Sequence, residues 1–185
     1  MSENMLPPGH LPGDPPPASA IARMLRVDHA GEYGALRIYT GQRAVLRRPE
    51  TDALLAHMQA QEQHHLDTFA ALLAARRVRP TALLPLWHLA GFVLGAATAA
   101  LGERAAMACT VAVEEAIDAH YARQAAALGP EETPLRDTIE AFRAEELEHR
   151  DIGLAHEAEQ APAYRLLSAA IKTGCRAAIA LSEVF

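Results

Sequence analysis

Two Glu-x-x-His pairs stand out in the chain: Glu62 with His65, and Glu146 with His149. Residues three apart on a helix lie one above the other on the same face, so each pair presents a carboxylate and an imidazole together, an arrangement suited to gripping a metal ion. With sixteen glutamates and nine histidines in 185 residues, about 0.8 such pairs are expected by chance, so the pairs alone decide little. Their phase is more telling. One helical face reads Leu55, Met58, Glu62, His65, Phe69, Leu72, and another reads Ile139, Phe142, Glu146, His149, Gly153. Both pairs lie in an apolar stripe, where a solvated charge is out of place. A buried unpaired carboxylate costs several kcal/mol or changes its protonation state, and a metal ion removes that cost.

Two further glutamates share this character. Glu32 lies on a face with Leu25, Asp28, Ala35 and Tyr39, and Glu114 on one with Met107, Val111, Ile117 and Tyr121. Two Glu-x-x-His pairs plus one glutamate from each of two other helices is the ligand set of four-helix bundles that hold two metal ions. Four carboxylates and two imidazoles suit iron or manganese better than zinc. His64 points about 100° from His65 and reads as non-ligating. Asp28 and Asp118 lie one turn from Glu32 and Glu114, where each could orient a ligand or serve at the surface. Tyr121 and His120 could move electrons or protons; a packing tyrosine and a surface histidine are the simpler reading.

These side chains need helices to hold them. The first is expected from an N-cap at Ser19 to about Arg47, the second from about Thr51 to Arg77, and the fourth from about Glu103 to Leu128. The fifth is expected from Thr133-Pro134 to about Gln160, and the last is opened by Pro162. Leu83–Leu101 differs from the rest, with no formal charge and only His88 and Thr98 clearly polar. As a helix it spans about 28 Å. Burial in the core, a membrane span and an interfacial helix all fit its composition. A single span would part the two Glu-x-x-His pairs across a bilayer, so interfacial or lipid-facing burial is expected. Arg165, Lys172 and Arg176 on the apolar last helix could reach lipid headgroups.

The chain is rich in Ala and Leu and poor in aromatics, which favours helices over strands. Its net charge is −6, and its adjacent basic residues are limited to Arg47-Arg48 and Arg76-Arg77, which excludes nucleic acid as a partner. Cys109 and Cys175 stand alone in apolar contexts and read as core packing; no Cys-x-x-Cys points to zinc or redox chemistry. Residues 1–17 are proline-rich and are expected to be an extended or disordered tail, neither a secretory signal nor a transit peptide. Residues 18–185 read as one domain. Within it Glu62 and Glu146 are 84 residues apart, as are His65 and His149, while Glu32 and Glu114 are 82 apart. Each half thus reads as a helix with a lone glutamate, a helix with Glu-x-x-His, and an apolar helix, and the repeat makes the six-residue set far more specific than either pair.

Three stretches resemble one family. They are Asp28-His29-Ala30-Gly31-Glu32-Tyr33-Gly34-Ala35, Thr110-Val111-Ala112-Val113-Glu114-Glu115 and Glu145-Glu146-Leu147-Glu148-His149-Arg150-Asp151-Ile152-Gly153. They are similar to the demethoxyubiquinone hydroxylases, di-iron monooxygenases of ubiquinone biosynthesis, and the similarity runs over about residues 20 to 185. The resemblance implies an all-α, ferritin-like four-helix di-iron bundle with two additional apolar, membrane-interacting helices. It maps the ligands of two iron ions onto Glu32, Glu62, His65, Glu114, Glu146 and His149. It implies a polyprenylated methoxy-benzoquinol as substrate, dioxygen as co-substrate and a reductant that the residues do not identify. It also implies a membrane surface, at the cytoplasmic face of a bacterial cell membrane or the matrix face of the mitochondrial inner membrane, and it leaves room for a lipid-presenting accessory protein. A ferritin-like iron-storage or iron-oxidising bundle would share the ligands but needs no lipid-facing helices. A metal-free membrane scaffold would need no phased ligands.

Overall fold

Proline, glycine and a few left-handed residues cut residues 17–185 into six helices. In the computed structural model, which describes residues 17–185, these are α1 (Pro17–Val45), α2 (Pro49–Ala75), α3 (Leu84–Ala100), α4 (Glu103–Ala127), α5 (Thr133–Ala155) and α6 (Tyr164–Val184). Two single 3-10 turns, Pro130–Glu132 and Ala158–Gln160, lie between helices, and no strand occurs among the described residues. Pro49 stands in the first turn of α2, where its missing N–H has no helical partner to lose. Gly102, with φ of 111°, reverses the chain between α3 and α4 in a conformation that only glycine adopts cheaply.

The expected tail at residues 1–16 lies outside the described residues; Pro17, read as tail, begins α1, so Ser19 falls inside the helix rather than capping it. The fifth helix was expected to reach Gln160. It stops at Ala155 because the chain turns at Glu157, whose φ is 61°, and re-forms as a short 3-10 turn. Thr133 is the first residue of α5, with Glu132 at the cap, and its hydroxyl donates to the Pro130 carbonyl. Ala163, at φ 52°, precedes α6, which starts two residues beyond Pro162.

α1 packs on α2 and α3, and α4 packs on α5 and α6. Beyond these pairings α3 reaches α4 and α6 reaches α1, but the backbone of neither comes close to α2 or α5. The bundle is therefore α1, α2, α4 and α5, with α3 and α6 laid over the outer side of α1 and α4. Along α2, buried Leu55 and Met58 precede Glu62, while Phe69 and Leu73 follow His65. The polar groups thus sit mid-helix between two apolar clusters.

α3 is seated on α1 through glycines. A Cβ at Gly95 would lie 2.0 Å from the Ile38 carbonyl oxygen, and one at Gly41 would lie 2.2 Å from that of Phe92. Large apolar side chains stand exposed on α3 and α6: Leu89 is 62% exposed and Leu166 is 74% exposed, with Leu86, Val93, Leu181 and Val184 also exposed, and on α6 they alternate with exposed Arg165, Thr173 and Arg176. No helix among the described residues is long and apolar enough to cross a membrane. The backbones of α3 and α6 do not approach one another. Between them lies a cavity of 560 Å³, floored by Gly31, Gly34, Ile38, Val113 and Ile117 and flanked by Leu94 and Ile171.

Candidate metal centre

The helical stripes predicted from the sequence converge inside the bundle. Glu32 comes from α1, Glu62 and His65 from α2, Glu114 from α4, and Glu146 and His149 from α5, and none is more than 1% exposed. They form two overlapping groups: Glu32, Glu62, His65 and Glu146; and Glu62, Glu114, Glu146 and His149. Within each group the candidate ligand atoms all lie within 4.8 Å of one another. Glu62 and Glu146 belong to both, so the arrangement offers two adjacent cation positions with two shared carboxylates.

Both histidines turn Nδ1 inward. His65 Nδ1 lies 3.1 Å from Glu146 Oε1 and 3.4 Å from Glu32 Oε2, and His149 Nδ1 lies 3.2 Å from Glu146 Oε2 and 3.3 Å from Glu62 Oε1. Phe142 stacks on the His65 ring with centroids 3.9 Å apart. Several inward atoms have no hydrogen-bond partner: Glu32 Oε2, both oxygens of Glu62, Glu114 Oε2, Glu146 Oε2 and His149 Nδ1. Unsatisfied buried carboxylate oxygens cost several kcal/mol each, and a divalent cation is the group that satisfies many at once. The donor set, all oxygen and imidazole nitrogen, fits such a cation.

Burial and mutual repulsion govern ionisation. Burial, followed by the carboxylates of Glu146 and Glu32, drives the Glu62 carboxyl well above its ordinary value. Burial, followed by Glu146, does the same at Glu114. Burial opposes a charge on His65, yet hydrogen bonds to Glu146 and Glu32 outweigh it and raise the imidazole to about 10. Burial likewise opposes ionisation of Glu146, but His149 and His65 hold it down at about 2.

A second layer braces the first across the bundle. The Tyr121 hydroxyl donates to Glu32 Oε1, and the Tyr39 hydroxyl donates to Glu114 Oε1 at 3.0 Å. The two tyrosines stand 82 residues apart, like the glutamates they hold. Each binds the glutamate of the other repeat. Gln124 donates to Asp28 at 2.7 Å, and Gln42, again 82 residues earlier, donates to the Ala106 carbonyl at 3.1 Å. His65 Nε2 meets Glu145 Oε2 at 3.0 Å, and His149 Nε2 meets Gln61 Oε1 at 2.9 Å.

Some simpler expectations change. Tyr121 is not merely packing, because its hydroxyl is committed to Glu32; His120 is largely buried and lies 3.4 Å from Asp28 rather than at the surface. Asp28 pairs with Gln124 and His120, not with a glutamate ligand; burial, partly offset by His120, lifts it to about 6. Asp118 is taken up by Arg143 at 2.6 Å and touches none of the six. His64 is exposed and outside both groups. Tyr39, Gln61, Glu145, Gln42 and Gln124 were missed. Extending the 82- and 84-residue offsets beyond the charged residues would have found their pairing.

The family model described as ubiquinone biosynthesis protein COQ7 matches residues 19–182. A 3-demethoxyubiquinol 3-hydroxylase of Rhodospirillum rubrum is 63% identical over 174 residues, covering 94% of this chain and 82% of that protein. The NADPH-dependent 3-demethoxyubiquinone 3-hydroxylase of Mus musculus mitochondria is 56% identical over 171 residues, covering 90% and 79%. A mitochondrial 5-demethoxyubiquinone hydroxylase of Saccharomyces cerevisiae is 43% identical over 183 residues, covering 90% and 78%.

Proposed function

The chain belongs to the family of the ubiquinone biosynthesis protein COQ7, and on that footing we propose that it is a monooxygenase that hydroxylates the ring of a demethoxyubiquinol with dioxygen. The observation that carries the reading is the pair of overlapping carboxylate–imidazole groups sharing Glu62 and Glu146. Two iron ions held there would supply the reductive activation of dioxygen. Glu62 and Glu146, which belong to both groups, would serve both ions; Glu32 with His65 would hold one, and Glu114 with His149 the other. Tyr121 and Tyr39 each fix one oxygen of a terminal glutamate, leaving its second oxygen turned toward the centre.

The bundle is read as ferritin-like and built from two similar three-helix halves that make one domain. The apolar cavity between α3 and α6 receives the quinol. Gly31 and Val113, which line its floor, are chain neighbours of Glu32 and Glu114. Its apolar walls suit the polyprenyl tail and keep water from the ring. The exposed leucines of α3 and α6 rest in the outer layer of a membrane as a peripheral contact, from which the substrate enters. The mouse and yeast relatives are mitochondrial and the mouse protein is NADPH-dependent; the same compartment and donor are the first to test here. No observation favours the iron-storage alternative.

Metal analysis of the purified protein, paired with Glu146→Ala, tests the reading. About two irons per chain are expected in the parent, with loss of metal and quinol hydroxylation together in the variant and an unchanged helical fold. Full metal content and turnover in Glu146→Ala would overturn it.

A further inference from the structure

The outer nitrogens of the two histidines are held by different chemistry. His65 Nε2 lies 3.0 Å from the carboxylate of Glu145 on α5, while His149 Nε2 lies 2.9 Å from the amide oxygen of Gln61 on α2. Gln61 Nε2 in turn donates to Glu145 Oε2 at 3.3 Å, closing a wire from one imidazole to the other. The wire fixes every orientation in it. Glu145 only accepts, so His65 carries its outer proton on Nε2. The Gln61 amide donates to Glu145, so its oxygen accepts from His149 Nε2–H. Both Nδ1 atoms then face the centre, where a cation would replace the proton that His65 Nδ1 shares with Glu146. Gln61 and Glu145 are 84 residues apart, and each immediately precedes a shared glutamate. They occupy the same place in the two repeats, and one is charged where the other is neutral.

Resting on the two-metal reading above, we propose that Glu145 and Gln61 make the two metal positions unequal, the Glu32–His65 position binding the more tightly. A carboxylate accepting an imidazole N–H pushes electron density toward the opposite nitrogen and makes it the stronger ligand; an amide oxygen does so less. The remaining ligands are matched: each position has one terminal glutamate held by a tyrosine and the same two bridging glutamates. Glu145 and Gln61 touch no ligand carboxylate in the structure; they act through the histidines and are positioning residues.

The substitutions Glu145→Gln and Gln61→Glu change the charge while keeping an acceptor of the same length, so the test separates charge from shape. Metal-free protein is loaded anaerobically with one equivalent of 57Fe(II) and read by Mössbauer spectroscopy, with stepwise affinities measured by calorimetry. The parent is expected to show one dominant quadrupole doublet at one equivalent and a second doublet at two. Glu145→Gln should weaken the tight step by on the order of tenfold and spread one equivalent over both doublets. The double swap Glu145→Gln/Gln61→Glu should restore a single dominant doublet, now the other one. The inference is overturned if Glu145→Gln, with its helical content intact, leaves the one-equivalent spectrum and both affinities as in the parent. It is equally overturned if the double swap fills the same position first. A parent that binds no Fe(II) would remove the two-metal reading itself, a result distinct from two ions bound without preference.

Discussion

Without a cation, the six buried groups of the centre must balance their charge with protons. His65 keeps its proton up to about 10 in the folded protein, against an ordinary value of 6.5. Its contribution to stability is therefore complete below pH 6.5 and is lost as pH rises toward 10. Glu62 and Glu114 act in the same sense: their folded-state values stand above the ordinary 4.5, so rising pH withdraws the protonated forms that the fold favours. Glu146, held at about 2, does the opposite, and its contribution fades as pH falls from 4.5 toward 2. The melting temperature of the metal-free protein is thus expected to fall as pH rises from 6.5 toward 10. A thermal scan in chelator across that range checks it, and a flat profile would contradict it. Glu62→Gln removes a buried acid without changing shape. It is expected to raise the metal-free melting temperature by a few degrees while lowering metal content, since sites built for function are built at a cost in stability.

Helices carry the site because their faces keep phase over long distances, and this is why so much of it was legible. Glu62 and His65 share a stripe with Leu55, Met58 and Phe69, and no contact had to be known to see it. The cross-braces were not legible in the same way. Nothing local distinguishes Tyr39 on α1 from a core tyrosine, because its partner Glu114 lies on another helix, 75 residues on. Helix ends were missed where one backbone torsion decides, as at Glu157. Gly91 and Gly95, packed on Gly34, Arg37 and Ile38 of α1, are what allows α3 to lie close. Gly95→Ala would drive a methyl into the Ile38 carbonyl. It is expected to cost about 1–3 kcal/mol, measured by urea denaturation, and to loosen α3 before the four-helix centre, as hydrogen exchange in α3 would show. Equal stability of the variant would mean that α3 is not seated as described.

At the scale of the whole molecule, the polar centre and the apolar exterior lie on opposite sides of α1 and α4. Leu86, Leu89 and Val93 of α3 and Leu166, Leu181 and Val184 of α6 add up to a large exposed apolar surface, the kind that marks an interaction site. Flotation with phospholipid vesicles is expected to carry the parent protein to the lipid layer. Leu89→Glu combined with Leu166→Glu should leave most of it behind, because burying each leucine in an apolar phase is worth about 1.5–3 kcal/mol. Iron content should be unaffected, as neither residue approaches the centre. Flotation unchanged by the double substitution would contradict a membrane contact through these leucines.

The crossed pairing of the two repeats also bears on how the protein comes into being. Tyr121 reaches back 89 residues to Glu32, His65 reaches forward 80 to Glu145, and His149 reaches back 88 to Gln61. A nascent chain that has emerged only as far as α3 holds Glu32, Glu62 and His65 but lacks Tyr121, Glu145 and Glu146, which orient Glu32 and His65. Such distant pairings form late, after the cost of closing long loops has been met. Assembly of the centre therefore waits for α5 to leave the ribosome, and a cation can fill both positions only after translation has passed it.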